Sequence, residues 1–255
     1  MCTLALYFQV SSEWPVVIAA NRDEFLSRPT RMPGVLSENP RVIGGKDLKA
    51  GGTWLGLNEF GVVAGLLNRH SEGIPDFARR SRGLLCMDAL KAESVEAAAA
   101  FAAGQCGGEY NPFNLLLASR ETAFVAYNRK SEIEVVELKP GLHLLTNLDI
   151  DDFECPKISR SYDHFAALAH AGEFAADPAV ICAKMRPLLA DHATQLDPRT
   201  SKPNAICLHL DGYGTRSSSM IFLGAEQGRE VHFFAPGPPC ITSYRDAPVP
   251  GRMAA

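Results

Sequence analysis

Residues 1–24 read MCTLALYFQVSSEWPVVIAANRDE, and this stretch decides the fold. Apolar side chains recur at every second position after Cys2, and Cys2 lies in the same register; they are Leu4, Leu6, Phe8 and Val10. This alternation predicts a first β-strand over residues 2–10. A polar turn over residues 11–15 separates this strand from the apolar run 16–20, which continues into Asn21-Arg22-Asp23-Glu24. Such a run is typical of a strand covered on both faces, so the chain is predicted to begin with a β-hairpin.

Cys2 has a special position in this hairpin, because removal of Met1 would make it the amino-terminal residue. It would then combine a thiol with a free α-amino group, whose ordinary pKa is about 7.7 to 8.0. An amine that titrates near neutral pH can take the thiol proton without a histidine. The position alone also fits a small buried hydrophobic residue at the start of an edge strand.

The composition describes an ordinary globular protein of 255 residues, of which 46% are hydrophobic and 21% are charged. The chain has no Pro/Gly/Ser-rich linker in its middle, so a single domain over residues 1–255 is expected. The net charge of -4, with no stripe of basic and aromatic residues, argues against nucleic acid as a partner. A small-molecule substrate or ligand is expected instead.

The cysteines and histidines give no sign of a metal site. The seven cysteines are odd in number, widely spaced and free of any Cys-x-x-Cys pair, which indicates a reducing compartment and argues against zinc. The seven histidines show no ligand spacing, so no metal is expected. No segment approaches the ~20 apolar residues of a membrane span, and the amino terminus does not resemble a signal peptide. These observations predict a cytoplasmic protein without a membrane span.

Strands and helices follow one another without regular βαβ alternation, which predicts an α+β protein. The patterns predict a glycine-edged hairpin, a broken helical region, four short strands forming a meander, two helices opened by proline, and three further strands. In chain order these are residues 51–68, 81–103, 113–118, 123–128, 132–138, 142–146, 156–171, 178–190, 205–210, 218–223 and 230–234.

Five short motifs occur in order along the chain: Met1-Cys2-Thr3-Leu4, Asn21-Arg22-Asp23-Glu24, the run GGTWLGLN over residues 51–58, Thr146-Asn147 and the run YGTRSS over residues 213–218. Together they resemble the NRDE family, also called the transport and Golgi organisation protein 2 family, over nearly the whole chain. This family is grouped with the N-terminal nucleophile hydrolases. The resemblance therefore implies a four-layer αββα sandwich whose nucleophile is the first residue of the mature chain.

Among those hydrolases, the choloylglycine hydrolase and penicillin V acylase group carries an Arg-Asn-x-Asp run on the second strand. The corresponding run here is Ala20-Asn21-Arg22-Asp23, so Asn21 and Asp23 match and the arginine position holds Ala20. Arg22 lies two residues further along the strand, where it can replace the missing arginine or serve another purpose. The resemblance implies that Asp23 orients the nucleophile and that Asn21 and Arg22 contact the substrate.

Three further residues correspond to site residues of the acylases. Asn68 and Asn147 resemble oxyanion donors, and a donor of this kind is worth about 2.7 to 4 kcal/mol in other enzymes. Arg216, which precedes Ser217-Ser218-Ser219, resembles a late arginine that contacts the substrate. The alternative for the asparagines is a role in turns or loop caps, and Arg216 could instead pair with Asp211 at the surface.

Two functions are compatible with the residues and the resemblance. The first is hydrolysis of a linear amide or thioester through an acyl-enzyme on Cys2, with Asp23, Asn68 and Asn147 completing the catalytic set. The second is non-catalytic binding and trafficking of haem, acyl-CoA or lipid, because the family has been linked to haem trafficking, lipid homeostasis and, in animals, Golgi organisation and secretion. No cofactor is expected to be required, and haem is a candidate ligand.

Overall fold

A computed structural model describes residues 2–71, 74–129, 132–170, 173–175 and 177–251. The strands in these residues are β1 (Thr3–Phe8), β2 (Val16–Phe25), β3 (Thr30–Glu38), β4 (Arg41–Asp47), β5 (Leu55–Asn58), β6 (Val63–Asn68), β7 (Phe113–Ala118), β8 (Ala123–Asn128), β9 (Ile133–Glu137), β10 (Gly141–Leu145), β11 (Leu196–Asp197), β12 (Lys202–Pro203), β13 (His209–Leu210), β14 (Tyr213–Leu223), β15 (Glu230–Ala235) and β16 (Arg245–Asp246). The helices there are α1 (Arg82–Ala89), α2 (Val95–Ala103), α3 (Pro156–His170) and α4 (Pro178–Leu189), with short 3-10 turns at Gly107–Glu109 and Glu173–Ala175.

The chain forms two compact units, each with its own large antiparallel sheet. The first unit combines Met1–Ser27 with Pro140–Ala247, and the second combines Arg28–Lys139 with Pro248–Ala255. The sheet of the first unit has the strand order β10-β1-β2-β14-β15-β16, with β13 paired to β14. The sheet of the second unit runs in simple chain order from β3 to β9.

In the first unit, helices α3 and α4 cover one face of the sheet. Alternate side chains of β1 and β2, including Ala5, Tyr7, Val17 and Ala19, belong to the buried cluster that contacts these helices. The Tyr7 hydroxyl donates a hydrogen bond of 2.9 Å to the Phe165 carbonyl of α3, which satisfies its polar end inside this core. The predicted amino-terminal hairpin is therefore present, and both of its strands are buried.

In the second unit, α1 and α2 pack on the sheet through small and branched side chains. The alanine-rich face of α2 contributes Ala98, Ala99 and Ala102 to the core, and β7 contributes Phe113 and Leu115. Ser94 caps α2, since its side chain accepts a hydrogen bond from the backbone N–H of Ala97. Small side chains on α2 allow this helix to lie close to the strands beneath it.

Asn58 holds the turn between β5 and β6 and joins this hairpin to α1. Its Nδ2 group donates to the carbonyls of Leu90 (2.9 Å) and Ala92 (2.8 Å), just beyond α1. Its Oδ1 atom accepts from the backbone N–H groups of Phe60 and Val62. Asn58 is buried, so these four bonds satisfy its whole amide. The last residue of the GGTWLGLN motif thus has a structural task.

The structure differs from the sequence-based prediction of the elements in several places. The short strands β11, β12 and β16 were not predicted, and β14 begins at Tyr213, before the predicted residue 218. Strands β3 and β4 were not predicted, because β3 contains Pro33 and Gly34 and its register with β4 shifts twice, so no clean alternation appears. The fourth strand of the predicted meander, β10, pairs with β1 in the first unit instead of β9. A further difference concerns residues 205–210.

Residues 205–210 were predicted as a strand, but only His209–Leu210 pair with β14. The preceding residues are buried, which explains the prediction, yet their backbone groups bond outside a ladder. The Cys207 N–H donates to the Asp191 carbonyl, and the Leu208 N–H donates to the Thr215 hydroxyl. Residues that are buried without pairing in a β-sheet can therefore form an apolar run that resembles a strand in the sequence.

Among the described residues, no helix combines the length and the hydropathy that a membrane crossing requires. The prediction of one domain over residues 1–255 concerns how the two units act together, and it stays a prediction.

Candidate active site

Cys2 lies at the start of β1, between two strands that carry predicted site residues. Thr3 pairs with Asn21 of β2, and Leu4 pairs with Leu145 of β10. If both registers are continued to the position before Thr3, Cys2 comes beside Arg22 on one side and Asn147 on the other. The sheet therefore brings three of the predicted residues together by backbone geometry alone.

The Cys2 side chain is half-buried, and its Sγ atom lies 3.8 Å from the backbone carbonyl oxygen of Asp23. Burial raises the pKa of the Cys2 thiol, and the negative charge of Asp23 raises it further. The thiol form therefore dominates at neutral pH in this environment. A nucleophilic Cys2 would need a base at the moment of attack.

Asp23 is buried near the end of β2, and β14 supplies two hydrogen bonds to it. The Thr215 hydroxyl donates to Oδ1 at 2.7 Å, and the Tyr213 hydroxyl donates to the Asp23 backbone carbonyl at 3.2 Å. Burial raises the pKa of the Asp23 carboxyl, while Lys157, the Thr215 bond and Arg22 each oppose this shift. Two of these opposing groups, Lys157 and Arg22, are cations, and each favours the ionised form of the Asp23 carboxyl.

Lys157 is a member of this cluster that the sequence analysis missed. It lies in the first turn of α3 and is fully buried, and its Nζ atom donates to the Thr3 hydroxyl at 2.9 Å. Burial lowers the pKa of Lys157, and the negative charge of Asp23 acts in the opposite direction. A buried ammonium group costs several kcal/mol unless it has compensating partners, and here Asp23 and Thr3 provide them.

No sequence pattern identifies Lys157. Residues 157, 161 and 165 recur four apart on α3 and are all buried, but only Phe165 of the three is apolar, so this face shows no apolar stripe in the sequence. Lysine is almost never fully buried unless it is paired, and the pairing of Lys157 is visible only in the structure.

A β-bulge in β14 places Arg216 beside the same cluster. Thr215 pairs with Asp23 and Ser217 pairs with Arg22, so Arg216 is the extra residue between two ladder positions. Bulges of this kind are over-represented next to active sites, where they redirect a side chain. Arg216 is half-buried and Arg22 is buried, and Arg22 Nη2 lies 3.6 Å from Glu24 Oε2.

Asn21 has both amide hydrogens committed to the backbone. Its Nδ2 atom donates to the carbonyl of Leu189 at 2.8 Å and to that of Ile206 at 3.0 Å, and the residue is buried. These bonds tie β2 to the end of α4 and to the segment before β13. The predicted contact of Asn21 with a substrate stays a prediction, and the observed bonds give this residue a structural task.

The two predicted oxyanion donors lie in different units. Asn147 follows β10 in the first unit and is half-buried. Asn68 is the last residue of β6 in the second unit, and its side chain is exposed. Their roles as donors stay predictions. In the first unit, the cluster around Cys2 thus consists of Arg22, Asp23, Asn147, Lys157 and Arg216.

A family model described as Transport and Golgi organisation 2 matches residues 1–235. The chain belongs to this family. Transport and Golgi organization protein 2 homologs from Homo sapiens and Bos taurus are 29% and 30% identical to it over 232 residues, with 83% of this chain and 83% of each relative covered. The five motifs of the sequence analysis therefore identified the family correctly.

Three solved structures with a similar fold carry the names of an amidase, an acylase and a hydrolase. An N-acylethanolamine-hydrolyzing acid amidase ortholog from Caenorhabditis elegans superposes with a TM-score of 0.57 at 12% identity, covering 87% of this chain and 92% of the other. Penicillin V acylase from Agrobacterium tumefaciens gives 0.54 at 14% identity, covering 92% and 83%. A variant of the conjugated bile acid hydrolase from Clostridium perfringens gives 0.53 at 10%, covering 100% and 99%.

These likenesses confirm the predicted fold class. This member of the Transport and Golgi organisation 2 family has the αββα fold of the N-terminal nucleophile hydrolases, although its identity with the solved structures is low.

Proposed function

We propose that this protein is an N-terminal cysteine hydrolase, which cleaves a linear amide or thioester through an acyl-enzyme on Cys2 once Met1 has been removed. One observation carries the proposal: the Cys2 sulfur lies 3.8 Å from the Asp23 carbonyl, at the edge of a buried cluster that contains Asp23 and Lys157. The shared fold with proteins named as an amidase, an acylase and a hydrolase supports it.

In the proposed reaction the α-amine of Cys2 takes the thiol proton, and the sulfur attacks the carbonyl carbon of the substrate. A C–S bond forms while the carbonyl π electrons move to the oxygen. The oxyanion then collapses and expels the amine or thiol, which receives the proton from the α-ammonium group. Water hydrolyses the resulting thioester in a second step, and this releases the acid and restores the thiol.

The charges around Cys2 suit this sequence of steps. The raised pKa of the thiol means that a base must accept its proton, and the α-amine is the group attached to the same residue. The Asp23 carboxylate would stabilise the ammonium form of that amine. Asn147 and Asn68 are proposed as oxyanion donors, and Arg22 and Arg216 as contacts for a polar or anionic part of a small-molecule substrate.

A second candidate function is binding and transport of a ligand without a catalysed reaction. Ala20 of β2 replaces the arginine of the acylase run, so one cation of that template is absent from its position. This observation favours a protein that binds haem, acyl-CoA or another lipid and releases it unchanged, in line with transport functions implied by the family name. We also propose a cytoplasmic location, since all seven cysteines are free thiols, as expected in a reducing compartment.

The decisive experiment compares two preparations that differ only at the amino terminus. A fusion is cleaved so that one preparation begins at Cys2, while the other keeps one serine before Cys2. Both are incubated with acyl amides and acyl-CoA thioesters, and their intact masses are followed. The proposal predicts an acyl adduct on Cys2 and turnover only in the first preparation, because the added serine converts the α-amine into an amide.

Cys2→Ala in the first preparation is the control for the nucleophile, and full activity of this variant would refute the proposal. Brief iodoacetamide treatment at neutral pH gives a second readout, with Cys2 expected to react faster when its amine is free. Titration with haem and acyl-CoA separates the alternative: saturable binding with the thioester recovered intact supports carriage, whereas accumulating free CoA supports hydrolysis.

A further inference from the structure

Four potential metal ligands converge in the first unit, away from Cys2 in the sequence. His192 follows α4, Cys207 lies just before β13, His209 is the first residue of β13, and Cys240 lies in the loop after β15. One ligand atom from each of these side chains lies within 4.8 Å of all the others. We propose that His192, Cys207, His209 and Cys240 bind a zinc ion.

The distances among three of these atoms match the edges of a tetrahedral zinc site, and the His192 atom lies within 4.8 Å of each of them. The two sulfurs lie 3.7 Å apart, and His209 Nε2 lies 3.6 Å from Cys207 Sγ and 3.3 Å from Cys240 Sγ. Zinc bonds of about 2.3 Å to sulfur and 2.0 to 2.1 Å to nitrogen give tetrahedral edges of about 3.8 Å between sulfurs and about 3.5 Å between sulfur and nitrogen. An ion could therefore enter with little movement of these three side chains.

The sulfurs do not form a disulfide. A disulfide places its sulfurs about 2.05 Å apart, and both Cys207 and Cys240 are free thiols. A pair of thiols at van der Waals distance, with an imidazole nitrogen close to both, is the arrangement expected of a metal site without its ion. Deprotonation of the two thiols would supply two negative charges to balance Zn²⁺.

Outer contacts orient the fourth ligand. His192 Nδ1 lies 3.0 Å from the backbone carbonyl of Cys207, and the His192 and His209 rings are 5.0 Å apart. A bond from Nδ1–H to that carbonyl would fix the tautomer and leave Nε2 for the metal, as is usual for metal-binding histidines. The Cys207 N–H in turn donates to the Asp191 carbonyl, which links two ligand segments by backbone bonds.

The ligand set favours zinc and a structural task. Two thiolates and two imidazoles form the closed Cys₂His₂ set of structural zinc sites, with no position open for a reacting water. The ion would connect the loop after β15 to the end of α4 and to β13. It would take no part in the chemistry proposed for Cys2, so the two proposals can fail independently.

A zinc ion bound by these four residues is contrary to the expectation that the chain has no metal site. That expectation rested on spacing along the sequence, and the four ligands come from three separate segments. The only local sign is the Cys207-x-His209 pair, which by itself is too short a pattern to indicate zinc.

The test begins with the metal content of the full chain purified without chelators, measured by inductively coupled plasma mass spectrometry. About one zinc ion per chain is expected. Cobalt substituted for zinc should show thiolate-to-metal charge-transfer absorption in the near ultraviolet. Cys240→Ser should lose most of the zinc and this band. Its zinc affinity should fall by more than the about 10- to 100-fold that is typical when a hydrogen-bond partner of a metal ligand is removed.

Cys106→Ser is the matched control, because Cys106 is an exposed cysteine in the second unit and should leave the zinc content unchanged. If Cys240→Ser fails to give a native circular dichroism spectrum, His192→Ala provides the same test at an exposed ligand. Wild-type protein that takes up no zinc in a titration would overturn the proposal, as would another metal in the site or variants that retain full zinc.

Discussion

A buried lysine beside a buried aspartate is the residue-scale feature that most constrains the candidate active site. Lys157 and Asp23 each lose hydration on folding, and burial shifts their pKa values in opposite directions, downward for lysine and upward for aspartate. The charge of each group partly reverses the shift of the other. Removal of one partner would therefore leave the other buried group with weaker charge compensation inside the first unit.

This coupling predicts the outcome of a double-mutant cycle with Asp23→Asn and Lys157→Met. Each single variant should lose about 3 to 5 kcal/mol of unfolding free energy, since it removes one partner of a buried pair of opposite charges. The double variant should lose less than the sum of the two, by about 0.5 to 3 kcal/mol, because both charges are absent. Urea unfolding at neutral pH measures all four proteins, and strictly additive losses would contradict the coupling.

Asp47 gives a prediction with a defined pH dependence. Burial alone would raise the pKa of the Asp47 carboxyl. Hydrogen bonds from Arg28 and from the N–H groups of Lys49 and Ala50 outweigh this effect, so the pKa is lowered. A lowered pKa in the folded state stabilises the protein above the ordinary aspartate value of about 3.9, and this contribution disappears as the pH falls through the folded value.

Asp47→Asn should therefore cost about 1.5 to 3 kcal/mol at pH 7, the range for hydrogen bonds to a charged group. The difference between variant and wild type should shrink as the pH falls below about 4. Unfolding curves at several pH values test this, and a difference that stays constant down to pH 2 would show that the charge of Asp47 is irrelevant.

At the scale of elements, the β5–β6 hairpin depends on a single side chain. Asn58 bonds to two carbonyls beyond α1 and to two N–H groups of its own turn, as described above. Asn58→Ala should lower the unfolding free energy by about 2 to 4 kcal/mol, because buried backbone groups are left without partners.

Asn111→Ala is the control for this prediction. Asn111 also bonds twice to the backbone, to Asp76, but at an exposed site where water can replace it. It should therefore cost no more than about 1 kcal/mol. Equal losses in the two variants would mean that burial does not set the value of the Asn58 bonds.

The sequence was sufficient for elements whose pattern is regular. Strands β7 and β8 have the predicted bounds of residues 113–118 and 123–128, since each is a mainly apolar run that is followed by a polar turn. Strand β3 was missed because Pro33 and two register shifts remove its alternation. The pairing of β10 was wrong because periodicity indicates a strand but carries no information on which sheet it joins.

At the scale of the whole molecule, short motifs in order identified the family and the fold, which the family match over residues 1–235 confirms. Spatial neighbours were harder to predict. Lys157 reaches Thr3 from a helix far along the sequence, and the four proposed zinc ligands lie between residues 192 and 240. Convergence of this kind depends on tertiary packing, which no local pattern in one sequence encodes.

The strand order of the first sheet also determines how late during protein synthesis this sheet can form. Strand β2 lies between β1 and β14, yet β14 leaves the ribosome about 190 residues after β2. At about 5 to 20 residues per second, the interval is roughly 10 to 40 s. During that time Cys2 lacks the strand that supplies Thr215 and Tyr213 to Asp23. Under the proposed function, a peptidase that removes Met1 could therefore act before β14 pairs with β2 and completes the site around Cys2.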